Sequence, residues 1–148
     1  MIEKGTAPFK ILDFLADSII PLLAIILLVL LVRATLQKEI DWRRWAGLAL
    51  GIATVYILKT IDKRLGIWPG FGSDYSTHTA LFTAVVVPLI YLRSKWMPAL
   101  VGVFVAYAAL MIMLGFHTIV DIVSTLVAVL PLVFLANYLL NRKKALQQ

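Results

Sequence analysis

Cysteine is absent from this 148-residue chain, which excludes disulfides, thiol nucleophiles and Cys-ligated zinc or iron–sulfur centres. The redox state of its compartment is therefore not legible from its thiols. Charge is scarce as well: Asp, Glu, Lys and Arg make up 15%, against about 25% in a soluble domain. Acidic residues are the scarcer sign, eight against fourteen Lys and Arg, for a net charge of +6 and an isoelectric point near 9.8. Such a basic balance raises nucleic acid as a partner. The cations, however, fall in short clusters between apolar runs and form no single patch, so membrane topology accounts for them and no nucleic-acid partner is expected. What is abundant is apolar: 61% of residues are hydrophobic and the mean hydropathy is +0.93. A soluble fold this small leaves much of its surface exposed and cannot hide that content. The expected solvent is a bilayer.

Five apolar runs stand out, at roughly Phe14–Val32, Trp45–Ile61, Thr79–Leu92, Met97–Phe116 and Thr118–Leu140. A spanning helix needs about 20 apolar residues, which the first, fourth and fifth supply. The second and third are short and flank one polar segment, Lys59 to His78. That arrangement predicts a segment dipping toward membrane depth, where irregular backbone survives only inside protein or beside water. The runs are continuous and too few for a closed barrel. The fold expected is all-α: a polytopic membrane helical bundle of about five transmembrane helices, in a single integral membrane domain over residues 1–148. Residues 8–16 read equally as an interfacial helix or as the ragged start of the first span. The opening Met1-Ile2-Glu3-Lys4 is no basic n-region, and no small-residue cleavage site follows, so no cleavable signal peptide is expected.

Lys and Arg set the orientation. One side carries Arg33, Lys38, Arg43, Arg44, Arg93, Lys95, Arg142, Lys143 and Lys144; the other carries Lys4, Lys10, Lys59, Lys63 and Arg64. Cytoplasmic loops are the richer in Lys and Arg, so the amino terminus is expected outside and the carboxyl terminus inside. The expected location is a bacterial inner membrane. Trp42, Trp45, Trp68 and Trp96 all lie at run boundaries, where interfacial anchors belong. Gly47 and Gly51 form a G-x-x-x-G pair suited to close helix packing, and Pro88 and Pro131 are expected to kink their spans.

Two histidines remain for chemistry, His78 and His117, both at run ends that this topology places outside. Asp121 follows His117 by four residues, on the same helix face. An ionisable group inside an apolar run is costly and marks a functional site by default. A carboxylate on one imidazole nitrogen fixes the tautomer and frees the other as base or nucleophile; a second histidine can protonate a leaving group. Ser76 and Thr77 stand where they would cap the third helix, whose first N–H groups favour an anion. Lys59, Lys63 and Arg64 add positive charge at the far end of the same segment. The set reads as a phosphate site with a histidine nucleophile, and its surroundings imply a lipid substrate. Zinc held by the histidines with Asp74 and Asp121 is the metal alternative, but only His117 and Asp121 have helical ligand spacing.

At these residues the chain resembles the type 2 phosphatidic acid phosphatase (PAP2) superfamily. That family's Pro-Ser-Gly-His motif corresponds to Tyr75-Ser76-Thr77-His78. Its Ser-Arg-x5-His-x3-Asp motif corresponds to His117 and Asp121, with Leu110-Met111 in place of the leading pair. Its Lys-x6-Arg-Pro motif is out of register: Gly66 comes seven residues after Lys59, and Lys63-Arg64 is the nearest basic pair. Within the superfamily, Asp74, Ser76, His78 and Thr79, then His117, Asp121 and Ile122, are closest to the sphingomyelin-synthase-like branch. The resemblance runs from about Lys59 to Leu140 and implies a core of this family with one leading helix fewer than its usual six. It implies that His117 attacks phosphorus, Asp121 orients it and His78 protonates the leaving alcohol, with no metal or other cofactor. Water as acceptor gives a phosphatase, a second alcohol a transferase. The missing motif arginine leaves phosphate binding to Lys59, Lys63, Arg64, Ser76 and Thr77. The alternative is a non-catalytic relative that binds a lipid headgroup or serves as a partner subunit of a membrane complex. Which phosphorylated membrane lipid is used, and the oligomeric state, stay open.

Overall fold

In the computed structural model, residues 6–142 are described and every regular element is helical. Met1 to Lys4, Lys143 and Lys144, used above for the leader and the topology, lie outside the described residues. Five α-helices follow one another: α1 (Ala7–Leu36), α2 (Trp42–Leu65), α3 (Thr77–Leu92), α4 (Met97–Met113) and α5 (Ile119–Asn141). Short 3-10 turns at Pro69–Phe71 and Ser94–Trp96 lead toward α3 and α4. α1, α2, α5 and the segment Ser94–Met113 are each long and apolar enough to cross a membrane. Their outer faces show Phe14, Leu22, Ile25, Val105, Val127 and Phe134. A surface so apolar is stable only against lipid. The chain is an integral membrane protein.

Caps fix where each helix starts. Thr6 accepts the N–H of Phe9 and Pro8 occupies the first turn of α1; Asp41 accepts the N–H of Arg43 to open α2. Such side chains satisfy N–H groups that a helix leaves orphaned. Gly66 closes α2 at φ 60°, a left-handed conformation that costs glycine little. Residues 8–16 belong to α1 without a break. The second run is not short: α2 extends it at both ends to 24 residues. Both α3 and α5 pass through Pro88 and Pro131 as continuous helices.

α3 is the hub, packed by α1, α2, α4 and α5. From Thr79 to Leu89, all its residues but Leu81 are buried. Its 16 residues span about 24 Å, short of a hydrocarbon core of about 30 Å. One of its ends therefore lies below the level the longer helices reach. Gly47 and Gly51 let α2 approach the others closely. A Cβ on Gly47 would meet Asn137 Oδ1 of α5 at 2.5 Å, and one on Gly51 would touch Ala84 of α3 and Val133 of α5.

The helices alternate in direction, so the start of α1, the end of α2, the start of α3, the end of α4 and the start of α5 share one end of the bundle. Phe9 packing edge-on against Phe116, ring centroids 6.3 Å apart, marks that end. Arg44 Nη1 reaching the Tyr91 carbonyl at 3.5 Å marks the other. Trp68 departs from its expected anchoring role. It is 5% exposed, its indole N–H donates to Ser124 Oγ at 2.9 Å, and its ring stands edge-on to Tyr75. A satisfied N–H makes an indole a core residue.

Candidate functional site

Ser76 opens α3. Its hydroxyl accepts the N–H of Thr79 at 3.3 Å and pairs with Thr79 Oγ1 at 2.9 Å. Its own N–H donates to Thr125 Oγ1 of α5 at 2.9 Å. Ser76 is wholly buried, so its polar groups hold α3 against α5. Thr77 follows as the first helical residue, half-buried.

Asp121 does the corresponding work for α5. Thr118 and Asp121 form a capping box: the Asp121 N–H donates to Thr118 Oγ1 at 3.2 Å, and the Thr118 N–H to Asp121 Oδ2 at 2.7 Å. The other carboxylate oxygen accepts Ser73 Oγ–H and the Asp74 N–H, each at 2.7 Å. Asp121 is 5% exposed, and a buried carboxylate needs such donors to remain ionised. It is not the sole acid inside an apolar helix, since α1 carries Asp13 and an exposed Asp17. Burial among donors sets Asp121 apart.

These ties bring the two histidines together. His78, one residue into α3, and His117, just before α5, stand edge to face with ring centroids 5.7 Å apart. His117 Nδ1 is buried, has no hydrogen-bond partner among the described residues, and lies 3.9 Å from Asp121 Oδ2. That is ion-pair distance, beyond a hydrogen bond. Burial, with His78 alongside, lowers the His117 pKa from its ordinary value; Asp121 and Asp74 oppose this with smaller effects. A lowered pKa favours the neutral ring, the state a nitrogen nucleophile requires. With Nδ1 enclosed, Nε2 is the nitrogen a substrate can meet.

Two clefts join at His117 and Asp74. One, of about 420 Å³, is lined by Lys59, Asp62, Lys63, Asp74, Tyr75 and His117. The other, about 470 Å³, runs along Phe116 to Ile119 and reaches Asp121. Lys59 and Lys63 lie one helical turn apart and so share a face of α2. Arg64 falls on a different face, beside Tyr56, Ile57 and Ile61, and is not part of either cleft. Among the described residues no group of three His, Asp or Glu side chains is placed to hold a metal ion.

Several supporting contacts lie outside the sequence reading. Asp62 accepts the Trp68 N–H at 2.8 Å. Tyr75 donates its hydroxyl to the Val55 carbonyl at 3.0 Å, and burial together with Asp62 raises its pKa, so it stays a phenol. Ser73 and the Asp74 backbone hold Asp121. One of these ties has a sequence signal: Thr118-x-x-Asp121 is a capping-box pattern. The Asp62–Trp68 bond spans only six residues and the others join segments farther apart, and none of them has such a signal. No protein-family model matches this chain, and no curated protein or solved structure matches it.

Proposed function

We propose that this protein is a membrane lipid phosphatase or phosphotransferase acting through a phosphohistidine on His117. One observation carries the reading: the rings of His78, in α3, and His117, in the link before α5, meet 5.7 Å apart, beside a cleft lined by His117, Lys59 and Lys63. The resemblance to the type 2 phosphatidic acid phosphatase superfamily points the same way. In the proposed reaction, Nε2 of neutral His117 attacks phosphorus and the bond from phosphorus to the lipid oxygen breaks. Protonated His78 gives its proton to that oxygen, which leaves as the alcohol, or as the monophosphate when the substrate is a diphosphate. Water or a second alcohol then attacks the phosphohistidine, surrenders its proton to His78, and releases His117. The two lysines meet the phosphate charge, which a site of lowered dielectric must neutralise. As the pair draws together on substrate, Asp121 steadies the imidazolium character that develops on His117; catalytic hydrogen bonds are often long before substrate binds.

The Lys/Arg asymmetry supports a site on the outer face of a cytoplasmic membrane, with the amino terminus outside. A second reading, a lipid-phosphate-binding protein without turnover, is favoured by the 3.9 Å gap between His117 and Asp121 and by the full engagement of that carboxylate. Detergent-purified protein offered phosphatidic acid, phosphatidylglycerophosphate and polyprenyl diphosphate, with and without chelator, separates the two. Phosphate release with an acid-labile, base-stable phosphoprotein intermediate is expected. Silence across the panel, with lipid phosphate still bound, establishes the second reading.

A further inference from the structure

Residues 114–118 alone join α4 to α5, yet their backbones approach each other less closely than either approaches α3. Antiparallel neighbours with so short a link ordinarily pack on each other. Here both lie against α3, and a crevice of about 240 Å³ opens between them. α3 makes its floor with Phe82, Thr83 and Val86; Val101 and Phe104 of α4 and Leu126 of α5 stand along the walls. Thr83 is the one polar side chain lining it, and its hydroxyl already donates to the Thr79 carbonyl at 2.8 Å. The lining thus offers an entering group only the spare acceptor capacity of one hydroxyl, and water, which needs two to four polar partners, is not held there.

Thr83 and Leu126 each come five residues after a site residue, His78 and Asp121 respectively, on helices that start at the same end. Five residues are about 7.5 Å of helix. Measured along α3 and α5, the crevice begins about that far beyond His78 and Asp121 and runs deeper, toward Ile90 and Leu100. A helix with its side chains is about 10 Å across, too broad for a space of this volume. A single polymethylene chain is slender enough. We infer that the α4–α5 crevice holds one hydrocarbon chain of the lipid whose phosphate lies at the cleft lined by His117, Lys59 and Lys63. The headgroup half of this statement rests on the proposed function; the chain half rests on the crevice.

The test uses phosphatidic acid with a diazirine midway along one acyl chain, photolysed with the full chain in phosphatidylcholine vesicles, and adducts mapped by mass spectrometry. Adducts are expected at Val101, Phe104 and Leu126, and unlabelled phosphatidic acid should compete them away. Leu126→Trp should cut them roughly tenfold, the loss of about two methylenes' worth of burial. Val101→Trp, filling from the opposite wall, should do the same, whereas Val127→Trp, at a position 68% exposed on the outside of α5, should not. Adducts scattered over the outer faces of α1 and α2 overturn the chain site, whatever the turnover. Equal crevice labelling by a phosphatidylcholine probe overturns the link to the phosphate. Crevice labelling without phosphate release overturns the reaction and leaves the chain site standing.

Discussion

The carboxylate of Asp121 in α5 accepts the backbone N–H of Asp74 at 2.7 Å, joining the start of α5 to the loop that leads into α3. His117 lies four residues before one end of this tie and His78 four residues after the other. The residue that steadies the proposed nucleophile therefore also builds the frame around it.

Asp121→Asn should lower both stability and turnover, because an amide presents one acceptor oxygen where the carboxylate presents two. Hydrogen bonds to a charged group are worth about 1.5–3 kcal/mol. Turnover should drop by roughly two to four orders of magnitude, the range seen when a triad loses its orienting carboxylate. Ser73→Ala separates the two effects. It removes one donor to the carboxylate, should cost about 1.5–3 kcal/mol in denaturant unfolding, and should leave kcat near that of the parent. An equal loss of kcat in both variants would show that loop placement alone underlies the effect of Asp121.

The pH profile has a definite sign. His117 must be neutral to attack, and its pKa is held below the ordinary 6.5. On the acid side, activity should therefore persist below pH 6.5 and fall as the medium acidifies through the depressed value. Burial is the larger cause and His78 the next. In His78→Gln the acid limb of kcat/KM should move part of the way back toward 6.5. His117→Ala should abolish turnover, and phosphohistidine with it; activity near that of the parent would refute the nucleophile.

Cation placement gives a three-way comparison on one helix. Lys59→Met and Lys63→Met should each weaken lipid-phosphate binding by about 1.5–3 kcal/mol, with a smaller loss for less charged substrates. Arg64→Met should leave binding unchanged, because Arg64 turns to another face of α2. Equilibrium binding of phosphatidic acid to each variant measures this directly.

Because native cysteine is absent, topology can be read by single cysteines. Phe71, 66% exposed in the loop before α3, should as Phe71→Cys react with an impermeant thiol reagent applied to intact cells. Gln37→Cys, at the far end of α1, should not. The reverse pattern would put the histidines in the cytoplasm.

Gly47→Ala tests the helix contact that sets the rotation of α2. The added Cβ would stand 2.5 Å from Asn137 Oδ1, so the buried amide must shift. Overpacking of this kind costs about 1–3 kcal/mol. Adding Asn137→Ala should restore part of the loss in a double-mutant cycle followed by thermal unfolding.

Membrane embedding, the run of helices and the gathering of both histidines at one end are all legible from residue order alone. Hydropathy is a local property weighed against lipid, and helices that cross in alternation place their ends by parity. What tertiary packing alone decides is which way each helix faces. Lys63 and Arg64 are neighbours in sequence, yet only Lys63 joins Lys59 and His117 at the cleft, because close contacts of Gly47 and Gly51 with α3 and α5 fix the turn of α2. Trp68 looks like a headgroup anchor until Ser124, 56 residues away, accepts its N–H. Ser76 looks like a phosphate ligand until Thr125 and Thr79 engage it. The crevice between α4 and α5 has no trace in either helix's own residues, since the positions that line it are apolar like most of those facing lipid. It exists because each of them finds more to pack against on α3 than on the other.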